Sequence, residues 1–139
     1  MYIDVMQEGD LDALVALFNE TRAVTTGLPS TALTPQEFLI QIEGEATFLA
    51  KIDEKIVAFI SIWVPDNFIH HLFVKPKHHG AGLGSALIRY VEDRFGRPLH
   101  LKCGQSNIKA IAFYESQGWV AGSVEIGPDG AYVNYTLPV

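Results

Sequence analysis

A glycine-rich segment at residues 72–85, LFVKPKHHGAGLGS, constrains this chain more than any other feature. A short apolar strand pattern runs through Pro76 into Gly80, Gly82 and Gly84, and a helical pattern begins at once. Backbone N–H groups left free at such a helix start point outward with the positive end of the helix dipole, which suits a phosphate group. The segment therefore predicts a site for a phosphorylated cofactor.

Two common phosphate-binding loops do not match this segment. A P-loop needs a lysine and a serine or threonine after its last glycine, whereas Gly84 is followed by Ser85 and Ala86. The dinucleotide fingerprint needs G-x-G-x-x-G near the start of a β-α-β unit, whereas these glycines are spaced two by two past the middle of the chain. We therefore expect neither a nucleoside triphosphatase nor a dinucleotide-binding protein.

Two motifs, in the right order, resemble those of the GNAT superfamily of N-acetyltransferases. The acetyl-CoA loop of that family has Arg or Gln, two variable residues, Gly, one variable residue, then Gly or Ala; here both glycines match and His79 replaces the leading residue. The second pattern, N-x-x-A-x-x-F-Y-x-x-x-G-F/W, is matched by Asn107, Ala110, Phe113, Tyr114, Gly118 and Trp119. The resemblance covers roughly residues 45–122 well.

The resemblance implies one N-acetyltransferase (GNAT-like) domain over residues 1–139, with acetyl-CoA as the cosubstrate. It implies an α/β fold with a mixed, mostly antiparallel sheet of about six to seven strands flanked by about four helices. A length of 139 residues and a hydrophobic content of 48% are consistent with one substantial core.

Hydrophobic periodicity predicts the same order of elements. The predicted helices begin after a cap at Asp10, at Thr34 with a capping box to Glu37, after the glycine segment, and at Asn107. Residues 23–33 are predicted as a loop. The predicted strands lie near residues 2–5, 46–52, 55–64, 67–75, 99–103, 119–124 and 131–137.

The family resemblance also implies the cofactor-binding residues. A strand splayed from its neighbour would offer main-chain groups to the thioester and pantetheine arm, and the glycine loop would hold the pyrophosphate. Whether His79 replaces the usual Arg or Gln contact stays open, and Asn107 has a compatible second role as a helix cap. The predicted set is Leu72, Phe73, Val74, His79, Gly80, Gly82, Leu83, Gly84, Ser85, Asn107 and Tyr114.

Acyl transfer to an amine needs a base for the ammonium proton, a donor for the carbonyl oxygen and an acid for the leaving thiolate. Tyr114 resembles the acid of the family. Family members often carry a glutamate at the position of His70, and an imidazole could remove a proton directly or through water. Alternatively, Tyr114 is a core residue, and His70 and His71 are strand residues without chemistry. Regular alternation would point His71 to the opposite face from His70.

Four histidines within ten residues, at 70, 71, 78 and 79, raise the question of a metal site. We expect none, because adjacent histidines on a strand diverge and the family resemblance implies no metal. Cys103, the one cysteine, excludes an internal disulfide. It is predicted to be a small buried residue at a strand end rather than a nucleophile.

Charge is unevenly distributed along the chain. Residues 1–74 have a balance of −8 and residues 75–109 a balance of +5, within a net charge of −6. The basic segment suits coenzyme A, and the acidic remainder would attract a cationic acceptor, although an acidic surface is also ordinary for a soluble protein. We expect a cytoplasmic protein without membrane or nucleic-acid partners; a homodimer is compatible with the sequence.

The predicted function is acetyl transfer from acetyl-CoA directly to a primary amine on a cationic small molecule. Two alternatives stay open. One is a sensor module that binds acetyl-CoA without turnover, and the other is an acetyltransferase for protein lysines or N-termini. The sequence has no recognisable code for the acceptor.

Overall fold

The computed structural model describes residues 1–25, 28–29 and 31–139. Over these residues it has seven strands in one sheet and four α-helices, which confirms the predicted fold class. The helices are α1 (Leu11–Val24), α2 (Pro35–Gln41), α3 (Leu83–Phe95) and α4 (Ile108–Ser116). The strands are β1 (Tyr2–Val5), β2 (Ala46–Ile52), β3 (Lys55–Trp63), β4 (Phe68–Val74), β5 (Leu99–Gly104), β6 (Val120–Gly127) and β7 (Gly130–Leu137).

The strand order is β1-β2-β3-β4-β5-β7-β6, and only β4 and β5 run parallel to each other. That parallel pairing is short: Phe68 pairs with His100 and Ile69 with Leu101, and the pairing ends there. The two strands then separate. We call the opening between residues 70–74 of β4 and residues 102–104 of β5 the β4–β5 gap.

Helices cover both faces of the sheet, and residues alternate between the two resulting cores. One core contains Leu14, Phe18 and Phe38 from α1 and α2 with Phe59 of β3. The other contains Leu87 and Val91 of α3, Tyr114 of α4 and the β3 neighbours of Phe59, Ala58 and Ile60. We refer to these as the α1–α2 face and the α3–α4 face.

The predicted cap of α2 agrees with the structure, whereas the predicted cap of α1 does not. Thr34 and Glu37 form the expected capping box, with the Glu37 N–H donating to Thr34 Oγ1 at 3.2 Å. Asp10 precedes α1 but its side chain makes no cap hydrogen bond. Its carboxylate instead accepts from the N–H of Gln7 at 2.9 Å and from Lys51 Nζ at 3.3 Å, because a 3₁₀ turn at residues 8–10 comes first.

A β-bulge in β4 is the feature of the sheet that matters most for the site. Ser61 pairs with His71, but the next residue, Ile62, pairs with Ile69, so His70 is the extra residue. The bulge breaks the alternation of side chains. The prediction that His71 points away from His70 is therefore wrong: their ring centroids lie 3.9 Å apart.

Candidate functional site

The glycine loop leads into α3 as the sequence predicts. Gly80 and Gly82 have φ values of +81° and +80°, a backbone region that L side chains rarely adopt. In the described part of the chain, the N–H groups of Gly80 and Gly82 have no backbone acceptor, nor do those of the first turn of α3, Leu83, Gly84 and Ser85. A row of free N–H groups at a helix start is an anion-binding arrangement.

Gly84 has a packing role as well. A Cβ atom built on it would lie 3.1 Å from Cζ of Phe113, so a larger residue would require the Phe113 ring to shift at this close approach of α3 and α4. Ser85 strengthens the same contact, because its hydroxyl donates to Oε1 of Gln117 at 3.0 Å. The glycine loop is thereby held against the helix that carries Tyr114.

Main-chain groups of β4 face the β4–β5 gap. The N–H of Lys75 donates to the carbonyl of Val57 at 2.8 Å, so antiparallel alternation directs the N–H of Phe73 toward β3 and those of Leu72 and Val74 toward the gap. The Val74 carbonyl accepts from Nε2 of His79 at 2.8 Å. The side chain of Phe73 packs on Phe18, with ring centroids 5.2 Å apart.

These features satisfy the requirements of a coenzyme A site. The N–H groups of Leu72 and Val74 point into the gap beyond the last β4–β5 pair, and the loop has a row of N–H groups without backbone acceptors in the described chain, which suits a pyrophosphate. His79 lies between the two, with its Nε2 held by the strand end. The residues present therefore fit the predicted cosubstrate.

Tyr114 lies on the α3–α4 face, in a buried aromatic cluster with Trp119 and Tyr135. Within the described residues its hydroxyl has no hydrogen-bond partner, in contrast to that of Tyr135, which donates to Glu115 at 3.0 Å. Burial, with a smaller effect from nearby Cys103, raises the pKa of Tyr114 well above its usual value. The hydroxyl therefore keeps its proton at neutral pH and is available as a donor.

Asn107 and Cys103 flank this helix. The Asn107 side chain accepts from the N–H of Ala110 at 3.3 Å, so the predicted helix cap is present. Cys103 is buried at the end of β5, and burial raises the pKa of its thiol to about 11. A thiol that stays protonated is a poor nucleophile, in agreement with a structural role.

His70 lies on the α1–α2 face of β4, where the bulge places it beside Glu45. Its Nδ1 is 2.8 Å from Oε2 of Glu45. Because a carboxylate only accepts hydrogen bonds, Nδ1 must donate, and the neutral ring then has its lone pair on Nε2. This arrangement can take a proton from an amine. Glu45 was not predicted: it precedes β2, far from His70 in sequence.

His71 is held differently from its neighbour. Nδ1 of His71 is 2.9 Å from the hydroxyl of Ser61, and the ring packs among phenylalanines on the α1–α2 face. Burial, followed by the charges of His70 and Arg22, lowers the pKa of His71 to about 3. His71 is therefore neutral at pH 7. Ser61 interrupts an otherwise apolar strand, and that interruption is the sequence signal for this contact.

Part of one predicted loop lies outside the described structure. The predicted 23–33 loop includes residues 26, 27 and 30, which lie outside it. Trp63 lies against Gly44, where an added Cβ would be 3.0 Å from its ring. A cavity of about 580 Å³ borders Glu45, between α2 and the β1–β2 edge.

Comparison with known proteins identifies the family of this chain. The acetyltransferase (GNAT) family model matches residues 12–119. The peptidyl-lysine N-acetyltransferase YiaC of Escherichia coli (strain K12) is 40% identical over 67 residues, which are 48% of this chain but only 44% of YiaC. An uncharacterised N-acetyltransferase of Archaeoglobus fulgidus is 28% identical over 137 residues, covering 84% of this chain and 91% of that protein.

A solved structure of a GCN5-related N-acetyltransferase from Rhodopseudomonas palustris has the same fold. Its TM-score is 0.86 at 21% identity, and the match covers 99% of this chain and 95% of that one. No helix in the described part of this chain has the length and apolar character needed to cross a membrane. The chain belongs to the acetyltransferase (GNAT) family, acyltransferase enzymes that use acetyl-CoA as the acetyl donor.

Proposed function

We propose that this protein transfers an acetyl group from acetyl-CoA directly to a primary amine. The observation that carries the proposal is the β4–β5 gap, which opens between a candidate base on one face of the sheet and a candidate acid on the other. His70 belongs to the α1–α2 face and Tyr114 to the α3–α4 face. The cosubstrate, when bound, supplies a thioester, an activated acyl group.

The proposed mechanism assigns one step to each group. Nε2 of His70 takes the ammonium proton, directly or through water, while Glu45 holds the ring by its Nδ1–H. The N–H groups of Leu72 and Val74 are the candidates to stabilise negative charge on the carbonyl oxygen. The Tyr114 hydroxyl donates its proton to the departing sulfur atom. Glu45 is a positioning residue in this scheme.

For the acceptor, we propose a cationic small molecule. Residues 1–74 have a charge balance of −8. The side chain of Glu45 is only 9% exposed, and its Oε1 is buried without a hydrogen-bond partner among the described residues. The cavity beside it is also lined by Glu43. A second ammonium group would satisfy an unpaired carboxylate oxygen, which supports acceptors with more than one positive charge.

A protein acceptor is the second candidate. The E. coli relative YiaC is named as a peptidyl-lysine N-acetyltransferase, although this chain spans less than half of its length. A lysine side chain presents the same ammonium group on a flexible stem, so the mechanism proposed above would serve it unchanged.

A screen of amines tests both candidates. Polyamines, amino sugars, lysine and lysine-containing peptides are incubated with acetyl-CoA, and release of coenzyme A is followed as free thiol. Mass spectrometry then confirms the acetylated amine. Tight acetyl-CoA binding with no turnover on any of these amines would favour the sensor module instead.

A further inference from the structure

We infer that Glu45, His70 and His71 form a binding site for a divalent transition-metal ion of the Zn²⁺ type. One ligand atom from each of the three residues lies within 4.8 Å of the other two. Two imidazole nitrogens and a carboxylate oxygen form a donor set that Zn²⁺, Co²⁺ and Ni²⁺ bind well. The sequence-based expectation of no metal site relied on the family resemblance and on adjacent histidines diverging; the bulge in β4 removes the second of these reasons.

The surroundings of the cluster favour an ion. Glu45 is nine-tenths buried, yet its Oε1 has no hydrogen-bond partner in the described chain. A buried carboxylate oxygen without a partner is costly, and a cation would satisfy it. The hydroxyl of Ser61 fixes the His71 ring through Nδ1, in the way that outer groups orient histidine ligands. Among the described residues, Nε2 of His71 makes no hydrogen bond, so this nitrogen can coordinate an ion.

The cluster also has an opening to solvent. The side chain of His70 is 38% exposed, so an ion can enter and can keep water among its ligands. Three protein ligands plus water is a common coordination for Zn²⁺. If His70 is the base, as proposed above, a bound ion would occupy its lone pair and inhibit acetyl transfer in competition with the amine. That consequence rests on the proposed function, whereas metal binding does not.

Metal binding is tested without turnover. Protein freed of metal with a chelator is titrated with ZnCl₂ by calorimetry, and Co²⁺ is followed by its visible absorption. We expect saturable binding of one ion per chain, weakened at least about ten-fold in Glu45→Gln and in His70→Gln. The matched controls Glu43→Gln and His78→Gln, which alter a nearby carboxylate and a histidine outside the cluster, should bind as the parent does.

Absence of saturable binding to the parent, or equal affinity in all four variants, would overturn the site. Circular dichroism checks that each variant is folded. A separate assay measures inhibition by Zn²⁺, using the acetylated product because the thiol of coenzyme A itself binds the ion. If no amine is turned over, the proposed function fails, while the calorimetric result on the metal site still stands.

Discussion

The imidazole rings of His70 and His71 lie side by side, with centroids 3.9 Å apart, although the two residues are adjacent on a strand. The extra residue in β4 causes this, because it places both side chains on the α1–α2 face. One ring is held by Glu45 and half-exposed; the other is held by Ser61 and buried. The two imidazole rings therefore differ both in solvent exposure and in hydrogen-bond partner.

Replacing Gly82 by valine should weaken acetyl-CoA binding. Gly82 has no protein atom within 4 Å of an added Cβ, so the valine side chain would project into the space proposed for the pyrophosphate. We expect the dissociation constant from calorimetry to rise at least about ten-fold, which is about 1.4 kcal/mol. Gly96→Val is the control. Gly96 also has a positive φ and no protein atom within 4 Å of an added Cβ, but it lies at the other end of α3. Equal affinities in parent and Gly82→Val would remove the loop from the binding site.

Tyr114→Phe should lower kcat by about ten- to a thousand-fold with little change in acetyl-CoA affinity. Its hydroxyl has no hydrogen-bond partner among the described residues, so the melting temperature should barely change. Tyr135→Phe is a matched control from the same aromatic cluster. It loses the hydrogen bond to Glu115, which should reduce stability by about 1 kcal/mol, and should keep kcat. Full activity in Tyr114→Phe would eliminate the acid role.

His70→Ala should remove the acidic limb from the pH profile of kcat/KM. A base acts only when unprotonated, so activity in the parent rises with pH until the base is neutral. The profiles are recorded with a chelator present, so that no bound metal contributes. An unchanged profile in the variant would point to a water chain or another carboxylate as the base.

Glu45→Gln tests the positioning of His70. We expect a lower kcat with an unchanged KM for acetyl-CoA, because the amide no longer holds the ring by an ionic hydrogen bond. Glu43→Gln removes a carboxylate two residues away, in the cavity proposed for the acceptor; this variant can raise KM for the amine but should leave kcat unchanged. The same kcat in both variants would assign Glu45 no part in the reaction.

Added salt should raise the apparent KM for the acceptor. If the −8 balance of residues 1–74 attracts a cationic amine, screening weakens that attraction. The measurement is KM for the best amine found, at low and at physiological ionic strength, with acetyl-CoA saturating. A best substrate that is neutral or anionic would mean that the acidic charge serves only solubility.

Stability should fall as the pH is lowered because of His71. Its pKa is lowered to about 3 in the folded chain, against about 6.5 when unfolded, so the unfolded state binds more protons below pH 6.5. Lowering the pH from 7 to 5 should therefore reduce the free energy of unfolding by about 2 kcal/mol. The groups around His71 are His70, Arg22, Glu45 and Ser61.

Denaturant unfolding at the two pH values measures this loss, with a chelator in the buffer. His71→Phe keeps a ring in the core and cannot take up the proton. The unpaired Ser61 hydroxyl in this variant costs stability at both pH values, so only the difference between them is informative. A variant with the same pH dependence as the parent would show that His71 is not the group responsible.

Much of the fold follows from local patterns. The capping box at Thr34 and Glu37 locates the start of α2, and the spacing of apolar residues after Gly82 locates α3, because both depend on contacts within one or two helical turns. Asp10 shows the limit of such reasoning. Its carboxylate accepts hydrogen bonds from Gln7 and from Lys51 of β2. Lys51 is 41 residues away, so a pattern of neighbouring residues does not predict this contact.

The amino-acid sequence by itself determined the order of elements, the glycine loop and the position of Tyr114 within its motif, since each is encoded by residues close together in the chain. Tertiary structure alone decided that Glu45 reaches His70, that Ser61 holds His71, and that both rings share one face. The physical reason is the register of β3 against β4. A single extra residue reverses the side-chain alternation, and because register relates two strands, it is not encoded by residues close together within β4.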